Sequence, residues 1–128
     1  MLQIKLTSVM VEDQTKALAF YTDILGFQKQ MDFPVGEYRW ITVAAPERDD
    51  LQLALEPNEN PAAKAFQAAM FAQSIPLASF QSTDLDADYA RLTSKGVAFT
   101  QPPVVAGAVK VAVFSDTVGN LIQLHQSL

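Results

Sequence analysis

The sequence has no cysteine, and this absence excludes several kinds of site before any motif is considered. Without thiols, the chain of 128 residues forms neither a disulfide framework nor a thiolate metal cluster. Histidine is almost as scarce, since His125 is the only one. A metal site built from several imidazoles is therefore excluded as well. The groups left for chemistry are carboxylates, amides, hydroxyls and one imidazole.

Positive charge and long apolar runs are also scarce. Nine Lys and Arg stand against 14 Asp and Glu, which gives a formal net charge of −5 and no basic footprint for nucleic acid. No apolar run approaches the roughly 20 residues of a membrane helix, and no signal-peptide pattern opens the chain. We therefore expect a cytoplasmic protein with no nucleic-acid or membrane partner. Hydrophobic residues make up 49% of the chain, enough for one domain with its own core.

The sequence repeats itself at a spacing of 71 residues. Pairs at this spacing are Leu6 and Leu77, Ser8 and Ser79, Asp13 and Asp84, Gly36 and Gly107, and Gln52 and Gln123. Gly26 and Gly96 differ by 70. Because these landmarks keep their order and nearly one spacing, we infer two copies of one structural module.

Each copy has the same predicted order of elements. An alternating strand (4–11 or 77–82) leads to a helix that begins at an aspartate and ends at a glycine (13–25 or 84–95). Three strands follow, at 27–33, 38–45 and 51–56 in the first copy and at 97–101, 109–115 and 121–126 in the second. The segments 33–38 and 101–108 are either mobile flaps or hairpin connections. The prediction is one α+β domain, 1–128, with βαβββ modules at about 1–58 and 75–128 joined by a helix at about 60–73.

Two phrases of the sequence carry a family resemblance. The segment VEDQTKALAFYTDILGF (11–27) fits the pattern D…A..FY...LGF, and FSDTVGNLIQL (114–124) fits D..GN.IEL. With its paired modules, the chain resembles the vicinal oxygen chelate superfamily of glyoxalase I, bleomycin-resistance proteins, extradiol dioxygenases and fosfomycin-resistance enzymes. The resemblance implies an open half-barrel cleft formed by the two modules. In the metal-dependent members, it also implies a metal ligand on the first and on the last strand of each module.

The positions that correspond to these ligands hold residues unsuited to a metal. By the resemblance they fall on Leu6 and Gln52 in the first module, and on Leu77 or Ala78 and Gln123 in the second. Aliphatic side chains and neutral amides offer no anionic or imidazole ligand for a divalent cation. We therefore expect no metal, no other cofactor and no lactoylglutathione lyase activity.

Alternation along the strands predicts which side chains line the cleft, because neighbouring residues of a strand point to opposite faces. The residues predicted to line it as ligand-binding groups are Ser8, Met10, Trp40, Thr42, Gln52, Ser79, Gln81 and Gln123, with Glu56 and His125 as the candidate catalytic groups. Apolar walls, one tryptophan and neutral hydrogen-bonding groups suit a flat or amphiphilic organic ligand. Gln52 and Gln123 are predicted either to bind such a ligand or to hydrogen-bond each other.

Three functions fit these residues. The favoured one is a metal-free, homodimeric protein of the glyoxalase/bleomycin-resistance type that binds a small organic molecule. The second is a metal-independent lyase or isomerase in which Glu56 and His125 transfer protons. The third is a structural or regulatory subunit whose sheet edge pairs two copies. A metal-dependent lyase or dioxygenase is disfavoured because the ligands are absent, and a nucleophilic serine is disfavoured because neither Ser8 nor Ser79 has a visible base partner.

Overall fold

The computed structural model describes all 128 residues and contains two four-stranded sheets. The first contains β1 (Leu6–Val11), β2 (Gln28–Val35), β3 (Tyr38–Ala45) and β4 (Arg48–Pro57), in the order β1-β4-β3-β2. The second contains β5 (Ala78–Gln81), β6 (Phe99–Ala106), β7 (Val109–Ser115) and β8 (Leu121–Ser127), in the order β5-β8-β7-β6. In each sheet the first and last strands pair in parallel and the other neighbours are antiparallel. The predicted α+β fold of two βαβββ modules is confirmed.

Three helices connect the strands. α1 (Gln14–Ala19) and α3 (Leu85–Ser94) each follow the first strand of a module, and α2 (Pro61–Ala72) joins the modules. The aspartates predicted to cap α1 and α3 do so: Asp13 accepts a hydrogen bond from the N–H of Lys16, and Asp84 from that of Ala87. None of these helices has the length and apolar character needed to cross a membrane.

The first helix differs from the single α-helix predicted over 13–25. After Ala19 the chain continues as a π-helical turn, Phe20–Ile24, in which the N–H of Leu25 donates to the carbonyl of Phe20. The wider turn lets two consecutive aromatic residues, Phe20 and Tyr21, both enter the core, where their rings meet edge to face at 5.7 Å. Packing of the aromatic pair therefore accompanies the departure from regular α-helical hydrogen bonding.

The segments 33–38 and 101–108 are arms and turns of hairpins and not separate flaps. Each turns into the next strand through a glycine with positive φ, Gly36 at 59° and Gly107 at 64°. The predicted strands stop before Pro34 and Pro102, whereas the observed β2 and β6 continue through these prolines. They do so because β2 and β6 are edge strands, where a missing N–H costs no ladder hydrogen bond.

Each module forms a compact unit, 1–65 and 66–128, and the division falls inside α2. The core of the first unit lies between its sheet and α1 and includes Val9, Val11, Ala17, Phe20, Tyr21, Ile41, Val43, Leu53 and Leu55. The core of the second lies between its sheet and α3 and includes Leu85, Leu92, Phe114, Ile122 and Leu124. The face of each sheet opposite α1 or α3 is named the distal face of its unit.

A polar cluster ties the start of α1 to the first sheet. Arg39 donates two parallel hydrogen bonds to the Asp32 carboxylate, at 3.0 and 2.6 Å, and a third to the Thr15 hydroxyl at 2.9 Å. The Gln14 amide donates to the carbonyls of Arg39 and Leu55, at 2.6 and 2.9 Å. Because these bonds join α1 to both β3 and β4, they hold the strands whose other side forms the distal face.

The ion pair within this cluster makes a prediction about pH. The hydrogen bonds and charge of Arg39 lower the pKa of the Asp32 carboxyl from its ordinary 3.8. The pair therefore stabilises the folded chain above the pKa of the unfolded state, and this contribution is lost as the pH falls through the lower folded-state pKa. Asp32→Asn should cost about 1 kcal/mol or less at neutral pH, since the pair is partly exposed to water.

Urea unfolding of the wild type and of Asp32→Asn, at several pH values between 7 and 2, measures this contribution. The difference between the two should be constant from neutral pH to about pH 5 and shrink below about pH 4. Combining Asp32→Asn with Arg39→Gln in a double-mutant cycle isolates the pair from other effects. A difference that persists undiminished to the lowest pH would contradict the role of the ion pair.

Candidate functional site

The distal face of the first unit carries the residues that alternation predicted for the first module. Parallel pairing places Leu6 beside Gln52 and Met10 beside Glu56, and antiparallel pairing places Thr42 beside Ala54. Directly paired residues point to the same side of a sheet. The face therefore holds Leu6, Ser8, Met10, Trp40, Thr42, Gln52, Ala54 and Glu56.

Two further residues of this face were missed in the sequence. β2 pairs Met31 with Thr42 and Phe33 with Trp40, so both side chains lie on the distal face. Phe33 is 48% exposed and Met31 is 36% exposed, which makes them an apolar wall at the edge of the sheet. Their signal was the alternation of Met31, Phe33 and Val35 with polar or proline residues, a pattern typical of a strand with one apolar face.

Two polar atoms of the same face are buried without a hydrogen-bond partner. They are Oγ1 of Thr42, whose side chain is fully buried, and Oε1 of Gln52. A buried donor or acceptor left unpaired costs roughly 1–3 kcal/mol, and most such groups in folded proteins are paired. Thr42 pairs with Ala54, and Gln52 lies two residues before Ala54 on β4, so the two residues are diagonal neighbours. The face thus offers hydrogen-bonding capacity that the unit itself does not use.

The distal face of the second unit carries a row of polar side chains. β5 and β8 pair Ser79 with Gln123 and Gln81 with His125. β7 places Val113 beside Gln123 and Val111 beside His125, so valines border the row on one side. Ile122 and Leu124 are buried towards α3, as alternation predicted.

These polar residues form a hydrogen-bonded chain. The Gln123 amide nitrogen donates to Oγ of Ser79 at 3.2 Å, and the same Oγ lies 2.7 Å from Nδ1 of His125. Because Oγ already accepts from Gln123, its own proton is free to be donated to His125, which fits the tautomer with the ring proton on Nε2. The expectation that Ser79 lacks a base partner is therefore wrong. Ser79 and His125 are far apart in the chain and meet only diagonally, across β5 and β8.

The register of β5 also corrects the alignment of the first strands. Gln123 faces Ser79, as Gln52 faces Leu6, so neither Leu77 nor Ala78 corresponds to Leu6 in the pairing. The first strands match at a spacing two residues longer than the other landmarks. The reason is that β1 stays in the sheet as far as Pro57 of β4, whereas β5 ends opposite His125. Counting residues back from the aspartate that caps the next helix therefore does not show which residue of the first strand pairs with the last strand.

The residues at the positions implied for a metal do not fit a divalent cation. They are Leu6, Gln52, Ser79 and Gln123, an aliphatic side chain, two neutral amides and a hydroxyl, and Gln123 already donates to Ser79. Divalent metals with catalytic roles bind imidazole, carboxylate or thiolate ligands. Nowhere in the chain do three or more His, Asp or Glu side chains come together in a group that suits a metal ion.

A buried turn positions the start of β8. The Asp116 carboxylate accepts hydrogen bonds from the backbone N–H groups of Val118 and Asn120, at 3.0 and 2.9 Å, and from the Asn120 side chain at 2.7 Å. Gln67 of α2 donates to the Asn120 side-chain oxygen at 3.0 Å, and all four of these residues are buried. This network explains the D..GN phrase of the sequence, because the turn sets the register in which Gln123 and His125 enter the distal face.

Sequence comparison assigns the chain to a family. The model of the Glyoxalase/Bleomycin resistance protein/Dioxygenase superfamily matches residues 3–124, so the chain belongs to that superfamily. The uncharacterized protein YurT of Bacillus subtilis (strain 168) is 48% identical over 126 residues, which cover 98% of this chain and 99% of YurT. The resemblance inferred from the two phrases is confirmed.

Solved structures of similar proteins agree in fold. UcmS2 is 30% identical with a TM-score of 0.86, and the match covers 98% of each chain. TnmS3, an antibiotic binding protein from Streptomyces sp. CB03234, is 32% identical with a TM-score of 0.78, over 100% of this chain and 98% of TnmS3. These matches span both modules and place the chain among small members of the superfamily.

The buried turn makes a prediction about stability. Asp116→Ala removes the acceptor of three buried hydrogen bonds, so each of the three donors loses this partner. We expect a loss of about 3 kcal/mol in the free energy of unfolding, measured with urea. Asp49→Ala, at an exposed position near the start of β4, serves as the matched control and should change it by about 0.5 kcal/mol or less. A loss below about 1 kcal/mol for Asp116→Ala would contradict the role of the turn.

Proposed function

We propose that the chain binds a small, flat organic molecule on the distal face of the first unit, without a metal ion. The observation that carries this proposal is the pair of buried, unpaired atoms, Oγ1 of Thr42 and Oε1 of Gln52, beside an apolar wall. Once neighbouring side chains move aside to uncover these atoms, a ligand with a donor and an acceptor at one edge satisfies both. Its apolar body covers side chains that otherwise face water.

The wall favours an aromatic ligand. Trp40 is half-buried and pairs across the strands with the exposed Phe33. Aromatic side chains offer large, rigid contact area and prefer offset-stacked or edge-to-face partners. Burying about 100 Å² of apolar surface contributes roughly 2.5 kcal/mol. The apolar wall therefore supplies affinity, and the amide and hydroxyl supply orientation.

Similarity to other proteins supports a ligand of this kind. TnmS3, which matches this chain over its whole length, is an antibiotic binding protein. An antibiotic-like organic molecule is the ligand class that combines that similarity with the chemistry of the distal face. Homodimeric assembly stays a prediction of the resemblance, and so does a lyase or isomerase that uses Glu56 and His125. Within its own unit, the hydrogen-bond partner of the His125 ring is Ser79.

Thr42→Val separates binding from stability. Valine has nearly the shape of threonine and lacks the hydroxyl, so it removes a buried atom that has no partner. We expect the variant to be more stable by about 1 kcal/mol, or about 4 °C in Tm, and to bind the ligand about tenfold more weakly. A Thr42→Val variant that is more stable but binds more weakly would show that Oγ1 of Thr42 contributes to ligand binding and not to folding.

A thermal-shift screen against a library of aromatic antibiotics identifies ligands, and titration of Trp40 fluorescence then measures their affinity. Trp40 is the single tryptophan of the chain, so the signal comes from the proposed site. Thr7→Val is the matched control, because Thr7 pairs with Leu53 on the helix side of the same sheet. A Thr42→Val variant that binds as tightly as the wild type, or one that is less stable, would argue against the proposal. The proposal also fails if no compound binds.

The absence of metal ligands makes a separate prediction. Isothermal titration calorimetry of the wild type with Ni²⁺ or Zn²⁺ should show no saturable binding, because the amides at the implied positions supply no charge. The double variant Leu6→His with Gln52→Glu places an imidazole beside a carboxylate on paired strands and should acquire binding. One equivalent of metal bound by the wild type, or lyase activity that a chelator abolishes, would contradict this prediction.

A further inference from the structure

We propose that Ser79 is a nucleophilic serine with His125 as its general base, and that it reacts with esters of small organic acids. This activity lies on the distal face of the second unit. It is independent of ligand binding on the first unit, because it requires only the chain formed by Gln123, Ser79 and His125.

The geometry is that of a nucleophile and its base. Oγ of Ser79 lies 2.7 Å from Nδ1 of His125, and such pairs act at about 2.6–3.2 Å. Ser79 is exposed, so the carbonyl carbon of an ester reaches its hydroxyl from solvent. His125 is half-buried, and its ring contacts that hydroxyl directly.

The hydrogen bond from Gln123 directs the hydroxyl proton. The amide nitrogen of Gln123 only donates, so Oγ accepts from it, and with His125 in the tautomer protonated at Nε2 the hydroxyl donates to Nδ1. Val111 and Val113 lie beside this row on the neighbouring strand β7.

The reaction follows from these contacts. Oγ forms a bond to the carbonyl carbon while its proton passes to Nδ1 of His125 and the π electrons of the C=O bond move onto the carbonyl oxygen. The C=O double bond then re-forms as the bond from that carbon to the leaving alkoxide breaks, and the alkoxide takes the proton from Nδ1 and departs as an alcohol. Water attacks the acyl group on Ser79 in the same way, with His125 again accepting and returning a proton. A carboxylic acid is released and the serine is restored, with no change in oxidation state.

Labelling with a fluorophosphonate probe tests the nucleophile directly. The purified full-length chain is incubated with the probe, and intact mass with peptide mapping locates the adduct. We expect one adduct, on Ser79, and none on Ser79→Ala. Ser94→Ala is the matched control and should label like the wild type, since Ser94 is also exposed but its hydroxyl donates to the carbonyl of Arg91. p-Nitrophenyl acetate provides a second readout, with hydrolysis at least about tenfold faster in the wild type than in Ser79→Ala.

Two variants of His125 separate base catalysis from folding. His125→Gln keeps a group able to hydrogen-bond Ser79 but cannot accept its proton, and His125→Ala removes both functions. Each should lower the labelling rate about 100-fold or more, within the range of general-base catalysis. Circular dichroism and Tm verify that the variants are folded.

Two results would overturn the proposal. One is a wild type that stays unlabelled under conditions that label a serine hydrolase fully, and the other is a His125→Gln variant that labels at the wild-type rate. Because the reactive probes need no ligand of the first unit, neither result bears on the function proposed there.

Discussion

The parallel pairing of the first strand with the last in each module is the constraint on which the candidate sites depend. Parallel neighbours cannot be joined by a tight turn, so a helix and two strands must lie between them in the chain. The side-chain period of a strand is two, and a slip of one residue would turn every distal residue towards the helix. β1 with β4, and β5 with β8, therefore decide which polar groups meet. The polar cluster of Arg39 holds α1 against β3 and β4, and the buried Asp116 turn precedes β8.

The two modules share this backbone but differ in chemistry because their first strands contribute different residues. Each last strand presents a glutamine at the same place. In the first unit its neighbour is Leu6, which offers no hydrogen bond, and Oε1 of Gln52 is left buried and unpaired. In the second unit the neighbour is Ser79, which accepts from Gln123 and faces His125. The same glutamine position thus has an unpaired oxygen in the first unit. In the second unit it is part of a hydrogen-bonded chain with Ser79 and His125.

Much of this arrangement was predictable from the sequence, because periodicity and capping are local signals. The order of strands, the capping aspartates and the sidedness of Thr42, Gln52, Gln123 and His125 follow from alternation and from the repeat. Three features did not follow, since each depends on how distant segments pack. The π-helical turn depends on the packing of Phe20 and Tyr21, the length of β2 and β6 on their place at sheet edges, and the Ser79–His125 contact on a diagonal between paired strands. The register of β5 is also set by its pairing with β8. The repeat of 71 residues gives only the distance along the sequence between corresponding residues.

The neutral amides on both last strands are consistent with the rest of each face. A carboxylate at Gln52 would be partly buried beside Leu6 with no cation to balance it, and an unpaired buried charge is far more costly than an unpaired amide. An amide keeps an oxygen directed at the same place without that charge. At Gln123 an amide does more than a carboxylate, because it also donates, and it donates to the Ser79 hydroxyl that contacts His125. The consequence of a neutral amide on the last strand therefore depends on the residue that the first strand places beside it.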